Sequence, residues 1–208
     1  MSQIIVAQNN NGIVLAAENR AIQLDERGQE ISFQVNRLLP LTSHAALLVG
    51  GAPEGVEMGH ALKHFLEGEA LTDVQDIYGA ALAFLSTEYE RFMRKKCELL
   101  PIDPIHHVSF ILAGKTVKDP VLPFRLYFLW TRKKLPQLDG EEISFSFSLP
   151  RRMGLEFQIN KICKEKGSLA EVLEKVMEGM KRLKEREEVR PPIAYAMITP
   201  EGYQSINP

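Results

Sequence analysis

Ser2 is the residue of this chain best equipped for chemistry. With Met1 removed, it would carry both a hydroxyl nucleophile and a free α-amine. An α-amine titrates at about 7.7–8.0, which suits a general base near neutral pH. Nucleophile and base on one residue need no further encounter, only a positioned backbone. Two apolar stretches joined by Asn11-Gly12 then lead to a carboxylate, Glu18. This arrangement raises the hypothesis of N-terminal-nucleophile hydrolysis.

Other reactive side chains make weaker sets. His60 and His64 are four apart on a predicted helix, a spacing that can grip a metal, but no third ligand lies near them. They read as solvated helix residues. His106 and His107 are adjacent on a strand edge and therefore point to opposite faces. Arg151-Arg152 and Arg132-Lys133-Lys134 are short basic clusters that suit solvated turns or subunit contacts better than phosphate binding. No Gly-rich phosphate loop, HExxH or GxSxG occurs. Neither a metal nor a cofactor is expected.

Length and composition bound the rest. At 208 residues the chain is most simply one domain, 1–208, large enough to bury a core. Its 45% apolar and 25% charged residues are the balance of a soluble globular protein. A net charge of −2 gives no bulk attraction to nucleic acid or to anionic membranes, so neither is an expected partner. No apolar run reaches the roughly 18 residues of a spanning helix, and no basic-then-apolar leader opens the chain. A cytoplasmic location is expected. Cys97 and Cys163 stand far apart in no metal spacing and read as reduced packing thiols.

The elements that must position Ser2 follow from periodicity. Gln3–Gln8 and Ile13–Ala17 read as a hairpin around Asn11-Gly12. Both strands are apolar on both faces, so both faces of their sheet should be covered. Gln23–Glu30 reads as a loop, and Ile31–Leu39 and Ala45–Val49 as strands, the latter ended by Gly50-Gly51. Helices are expected over Pro53–Glu69 and Asp73–Lys96, the second opened by a Thr72/Gln75 capping box. Val108–Ala113, Phe124–Thr131 and Ile143–Leu149 read as strands, the last with one buried and one polar face. Ser168 with Glu171 opens a helix over Leu169–Glu187, which Arg190-Pro-Pro192 stops. Ile193–Thr199 and Tyr203–Ile206 make a closing hairpin. Amphipathic helices from two places, with strands apolar on both faces, predict an α+β protein built as a four-layer αββα sandwich.

Three stretches together resemble the β-type subunits of the proteasome family, ring-forming N-terminal-nucleophile proteases. They are Ser2-Gln-Ile-Ile-Val…Gly12-Ile-Val-Leu-Ala-Ala-Glu18-Asn-Arg20, Arg37-Leu-Leu-Pro-Leu…Leu-Val-Gly-Gly51 and Ala194-Tyr-Ala-Met-Ile-Thr-Pro-Glu-Gly-Tyr203. Glu18 follows Ser2 by the family's sixteen residues, and Arg37 and Gly51 are the family's fourteen apart. The resemblance implies the αββα sandwich, a homo-oligomeric ring, a peptide or amide substrate, and a companion subunit or ATPase of unspecified kind. It makes Ser2 the nucleophile in place of threonine, Glu18 its polar support, and Gly51 the backbone oxyanion donor. Arg37 falls where the family has lysine. Arginine holds its charge and can support Glu18 electrostatically, but it does not relay protons. The family's Ser-Gly-Ser segment has no counterpart near Phe147–Gly154 except Ser148, and Pro191-Pro192-Ile193 replaces its aspartate. Two functions follow. One is a peptidase or amidase using Ser2 after removal of Met1; the other is a catalytically impaired structural homologue that keeps the fold and the ring.

Overall fold

The structure, a computed structural model, describes residues 2–24, 29–97, 107–131, 137–144 and 146–207. The N-terminal hairpin sets its centre. Strand β1 (Ile4–Asn9) turns at Asn11-Gly12 into β2 (Gly12–Glu18), and every position of β2 is buried. Alternation sends Ile4, Val6, Ile13, Leu15 and Ala17 to one face and Ile5, Ala7, Val14 and Ala16 to the other. Both faces are apolar because each meets a different core.

A five-stranded antiparallel sheet forms around this hairpin, in the order β10 (Ser146–Leu149), β1, β2, β11 (Ile193–Thr199), β12 (Gly202–Ile206). A second runs β5 (Leu38–Thr42), β6 (Ala45–Gly51), β7 (Val108–Lys115), β8 (Phe124–Thr131), β9 (Leu138–Ile143). A separate two-stranded ribbon pairs β3 (Arg20–Leu24) with β4 (Glu30–Gln34). Helices α1 (Glu54–Glu69) and α2 (Val74–Cys97) cover the second sheet, with Leu62, Leu66, Ile77 and Leu85 against Leu47, Val49, Phe110 and Leu112. Helices α3 (Met153–Lys164) and α4 (Leu169–Glu185) cover the first, with Ile159, Val172, Val176 and Met180 against Ile5, Val14 and Ala16. Between the sheets, Ile4, Val6, Ile13 and Leu15 meet Leu48, Ile111, Ala113 and Leu126. The protein is thus of the α+β class, with four helices and three antiparallel sheets among the described residues. No helix there is long and apolar enough to cross a membrane.

Several sequence expectations need correction. The single strand over Ile31–Leu39 is two strands in different sheets, broken at 35–37. There the Asn19 side-chain oxygen and backbone carbonyl accept from the amides of Arg37 and Val35 and redirect the chain. The loop over Gln23–Glu30 is shortened from both sides by β3 and β4, and 25–28 lie outside the described residues. Ile143–Leu149 is not one alternating strand. Ile143 ends β9, Ser146 begins β10 in the other sheet, and Ser146, Phe147 and Ser148 are all buried. Their hydroxyls stay inside because α3 answers them: Ser146 donates to Asn160 (2.8 Å) and Ser148 to Glu156 (2.6 Å). Asp73, not Thr72, accepts the Gln75 amide at the start of α2 (2.9 Å). The Ser168–Glu171 capping box of α4 is present with both of its reciprocal bonds. That helix ends at Glu185 rather than Glu187. The sequence leaves one or two helices open before the closing hairpin, and α3 is the one to which it gives no bounds. Helix α3 buries only Ile159, Cys163 and Glu156 firmly and leaves Met153 and Phe157 exposed, so its period is faint.

Candidate functional site

The first sheet delivers Ser2 and Glu18 to the same end of the β1–β2 hairpin. The Glu18 amide donates to the Gln3 carbonyl (2.9 Å), and the Gln3 amide donates to Glu18 Oε2 (3.1 Å). The Arg190 amide donates to Glu18 Oε1 (2.9 Å). Each carboxylate oxygen therefore holds a backbone N–H, one from the N-terminal strand and one from the segment leading into β11. Glu18 is 7% exposed, a burial that a carboxylate tolerates only with such partners.

The second sheet delivers Arg37 and Gly51. Arg37 is 1% exposed, the largest fully buried side chain among the described residues. Its guanidinium donates to three carbonyls: Nε to Arg20 (3.1 Å), Nη1 to Val49 (3.0 Å) and Nη2 to Gly51 (3.2 Å). Glu18 and Arg37 thus both bind backbone and act on each other through space, without a direct ion pair. Burial pushes the Arg37 guanidinium below its ordinary pKa, and the Glu18 charge acts in the opposite direction. Arginine still keeps its proton, so Arg37 is a fixed positive charge.

Ser2 completes the contact. Its Oγ donates to the Arg20 carbonyl at 2.6 Å, the same oxygen that Arg37 Nε binds. The Arg20 peptide thus joins the candidate nucleophile to the buried cation. Gly51 takes φ +80°, and a Cβ there would stand 2.1 Å from the His107 carbonyl, so only glycine fits this end of β6.

Ser2, Glu18, Arg37 and Gly51 all line one cavity of about 850 Å³. Its wall also holds Ile22 and Glu30 of the ribbon, His107 and Ser109 of the β7 end, Trp130 of β8, and Glu188 of the segment before β11. A peptide-sized ligand fits such a volume, which lies within the usual range of small-molecule sites. None of these additional wall residues was singled out in the sequence except His107. They come from four separate elements, and no local spacing announces them.

The remaining candidates do not assemble. His60 and His64 are both exposed on α1, with His64 beside Glu67 (3.3 Å), and no cluster of metal-ligating side chains occurs among the described residues. His106 and Arg132-Lys133-Lys134 lie outside those residues, as does the Cys97 side chain. Cys163 is a buried free thiol that desolvation pushes up to about 11. Arg151 is exposed and Arg152 half-buried, and both also hold partners within the chain. Arg151 holds Glu156 through Nε (2.9 Å) and Nη2 (2.6 Å), and Arg152 reaches Gln3 and Glu188. Compared with protein-family models and with curated proteins, the chain matches none.

Proposed function

We propose that this chain is a proteasome β-subunit-like N-terminal-nucleophile hydrolase, with Ser2 as nucleophile toward a peptide or amide once Met1 is removed. One observation carries the reading. Four residues separated by up to 49 positions, Ser2, Glu18, Arg37 and Gly51, meet at one cavity. The succession of helix pair, sheet, sheet and helix pair in the three cores supports the αββα sandwich that belongs to the same reading.

The chemistry would run on Ser2 itself. The free α-amine takes the proton of Oγ as Oγ bonds the substrate carbonyl carbon. The Gly51 backbone N–H is the proposed donor to the oxyanion. The amine then returns the proton to the leaving nitrogen as the C–N bond breaks. Water attacks the resulting ester with the amine again as base, and Ser2 is regenerated. Arg37 contributes charge without exchanging protons. Its guanidinium polarises the Arg20 peptide and disfavours protonation of the neighbouring amine, which keeps more of it in the basic form.

A second reading has its own support. Each guanidinium nitrogen of Arg37 binds a carbonyl and the Ser2 hydroxyl binds the Arg20 peptide, so these groups also serve as structure. In that case the chain is the catalytically impaired, ring-forming homologue. A β-lactone probe separates the two. Covalent labelling of Ser2 in a chain whose intact mass lacks Met1 supports the hydrolase; no labelling of that processed chain supports the structural homologue. Both readings include a homo-oligomeric ring, with a companion subunit or ATPase as a further partner. Light scattering after size exclusion tests the ring, and a monomer at working concentration would count against it. A cytoplasmic setting belongs to the same proposal and agrees with the unpaired Cys163 thiol.

A further inference from the structure

Behind Ser2 lies a closed circuit of polar contacts that none of the four site residues explains. Gln3 is 1% exposed, and its side-chain amide is fully engaged. Nε2 donates to the carbonyls of Ile4 (3.1 Å) and Pro150 (3.1 Å), while Oε1 accepts from Arg152 Nε (3.0 Å). Two carbonyls on one side and a guanidinium on the other fix which end of the amide is which. Arg152 Nη1 also pairs with Glu188 Oε2 at 2.6 Å. Glu188 lies two residues before Arg190, whose amide holds Glu18, and Glu18 in turn holds the Gln3 amide. The N-terminal strand and the 187–190 segment are therefore bridged twice, by Glu18 through backbone amides and by Arg152 through side chains.

Arg152 is itself anchored. Its amide donates to Ser148 Oγ (2.7 Å) and to Glu156 Oε1 (3.3 Å). Glu156 is 5% exposed and also receives Ser148 Oγ, the Ser148 amide and Arg151. This buried carboxylate makes the 148–152 turn a rigid base from which the Arg152 side chain extends. An arginine suits the task because its planar fork can serve two acceptors at once, which a lysine cannot do in fixed geometry.

We propose that Arg152 is a positioning residue for the Ser2 segment, coupling Gln3 to Glu188 so that the N-terminal strand and the Glu18-holding segment open or close as one unit. The importance assigned to Ser2 rests on the hydrolase reading; the coupling itself does not.

Amide hydrogen exchange by NMR on the full chain tests the coupling. Glu188→Gln removes a charge that does not touch Gln3, yet the exchange of both the Gln3 and Arg190 amides should accelerate by about tenfold, the usual scale for a broken network contact. Arg152→Met should do the same while the Val176 and Met180 amides of α4 keep their wild-type rates. If Arg152→Met does not fold, Glu188→Gln decides the matter alone, because it leaves the Gln3 contacts intact. Gln3 exchange unchanged in folded Glu188→Gln would overturn the proposal. Reactivity is read separately with the β-lactone probe. If wild-type Ser2 labels, folded Glu188→Gln and Arg152→Met should both label about tenfold more slowly, and Arg152→Lys should not restore the rate. If wild-type Ser2 does not label, the hydrolase reading fails and the exchange data still decide the coupling.

Discussion

At the scale of single residues, Arg37 and Glu156 show how burial of charge is sustained here, and both make measurable predictions. Arg37 donates to three carbonyls at the end of the cavity, one of which, that of Arg20, it shares with the Ser2 hydroxyl. Arg37→Met should lower unfolding stability by about 3 kcal/mol, since each unmade buried hydrogen bond costs roughly 1 kcal/mol or more. Urea unfolding measures it, and a loss below about 1 kcal/mol would show that the carbonyls find other partners. For Glu156, burial raises the carboxyl pKa, but Arg151, Ser148 and the Arg152 amide outweigh it and hold it below the usual 4.5. A depressed folded-state pKa means that the unfolded chain binds more protons. Stability from this group is present above pH 4.5 and is lost as pH falls through the lower folded value. Unfolding free energy measured from pH 6 down to about 3 should therefore fall more steeply in wild type than in Glu156→Gln. Equal slopes would place the acid sensitivity elsewhere. Ser2 and Glu18 were legible in the sequence because their chemistry and spacing are local to one hairpin. Arg152 and Glu156 were not, because the contacts that single them out, Gln3 and Glu188 for Arg152 and the buried Ser148 hydroxyl for Glu156, exist only in the folded chain.

At the scale of elements, legibility followed burial pattern. The β1–β2 hairpin, α1, α2, α4 and the closing hairpin are strongly periodic or apolar, and their sequence bounds stand within a few residues. The failures are between β4 and β5 and between β9 and β10, where the chain passes from one sheet to another and the sequence has no Gly or Pro to mark it. Only the tertiary partners reveal those breaks, Asn19 in one case and α3 in the other. Two glycines test the local backbone argument in opposite directions. Gly51→Ala places a Cβ 2.1 Å from a backbone oxygen at φ +80° and should destabilise by about 2 kcal/mol or more. Gly79→Ala, in an exposed part of α2 with nothing within 4 Å, should stabilise by up to about 1 kcal/mol. Thermal melts of the two variants should move apart. A melting temperature not lowered in Gly51→Ala would contradict the account of Gly51, and one lowered in Gly79→Ala that of Gly79.

At the scale of the whole molecule, two sheets with apolar faces on both sides bring the N-terminus of one and the β6 end of the other to a common cavity. Neither sheet alone contains the site: Ser2 and Glu18 come from the first, Arg37 and Gly51 from the margin of the second. The fold therefore assembles the candidate chemistry only when the inter-sheet core has formed. The central claim is that this assembly makes Ser2 a reactive nucleophile. Intact-mass analysis of the purified chain after exposure to a β-lactone probe tests it most directly. The account predicts a chain lacking Met1 with one probe mapped to Ser2, lost in Ser2→Ala. A chain that lacks Met1, is folded, and takes up no probe would contradict it.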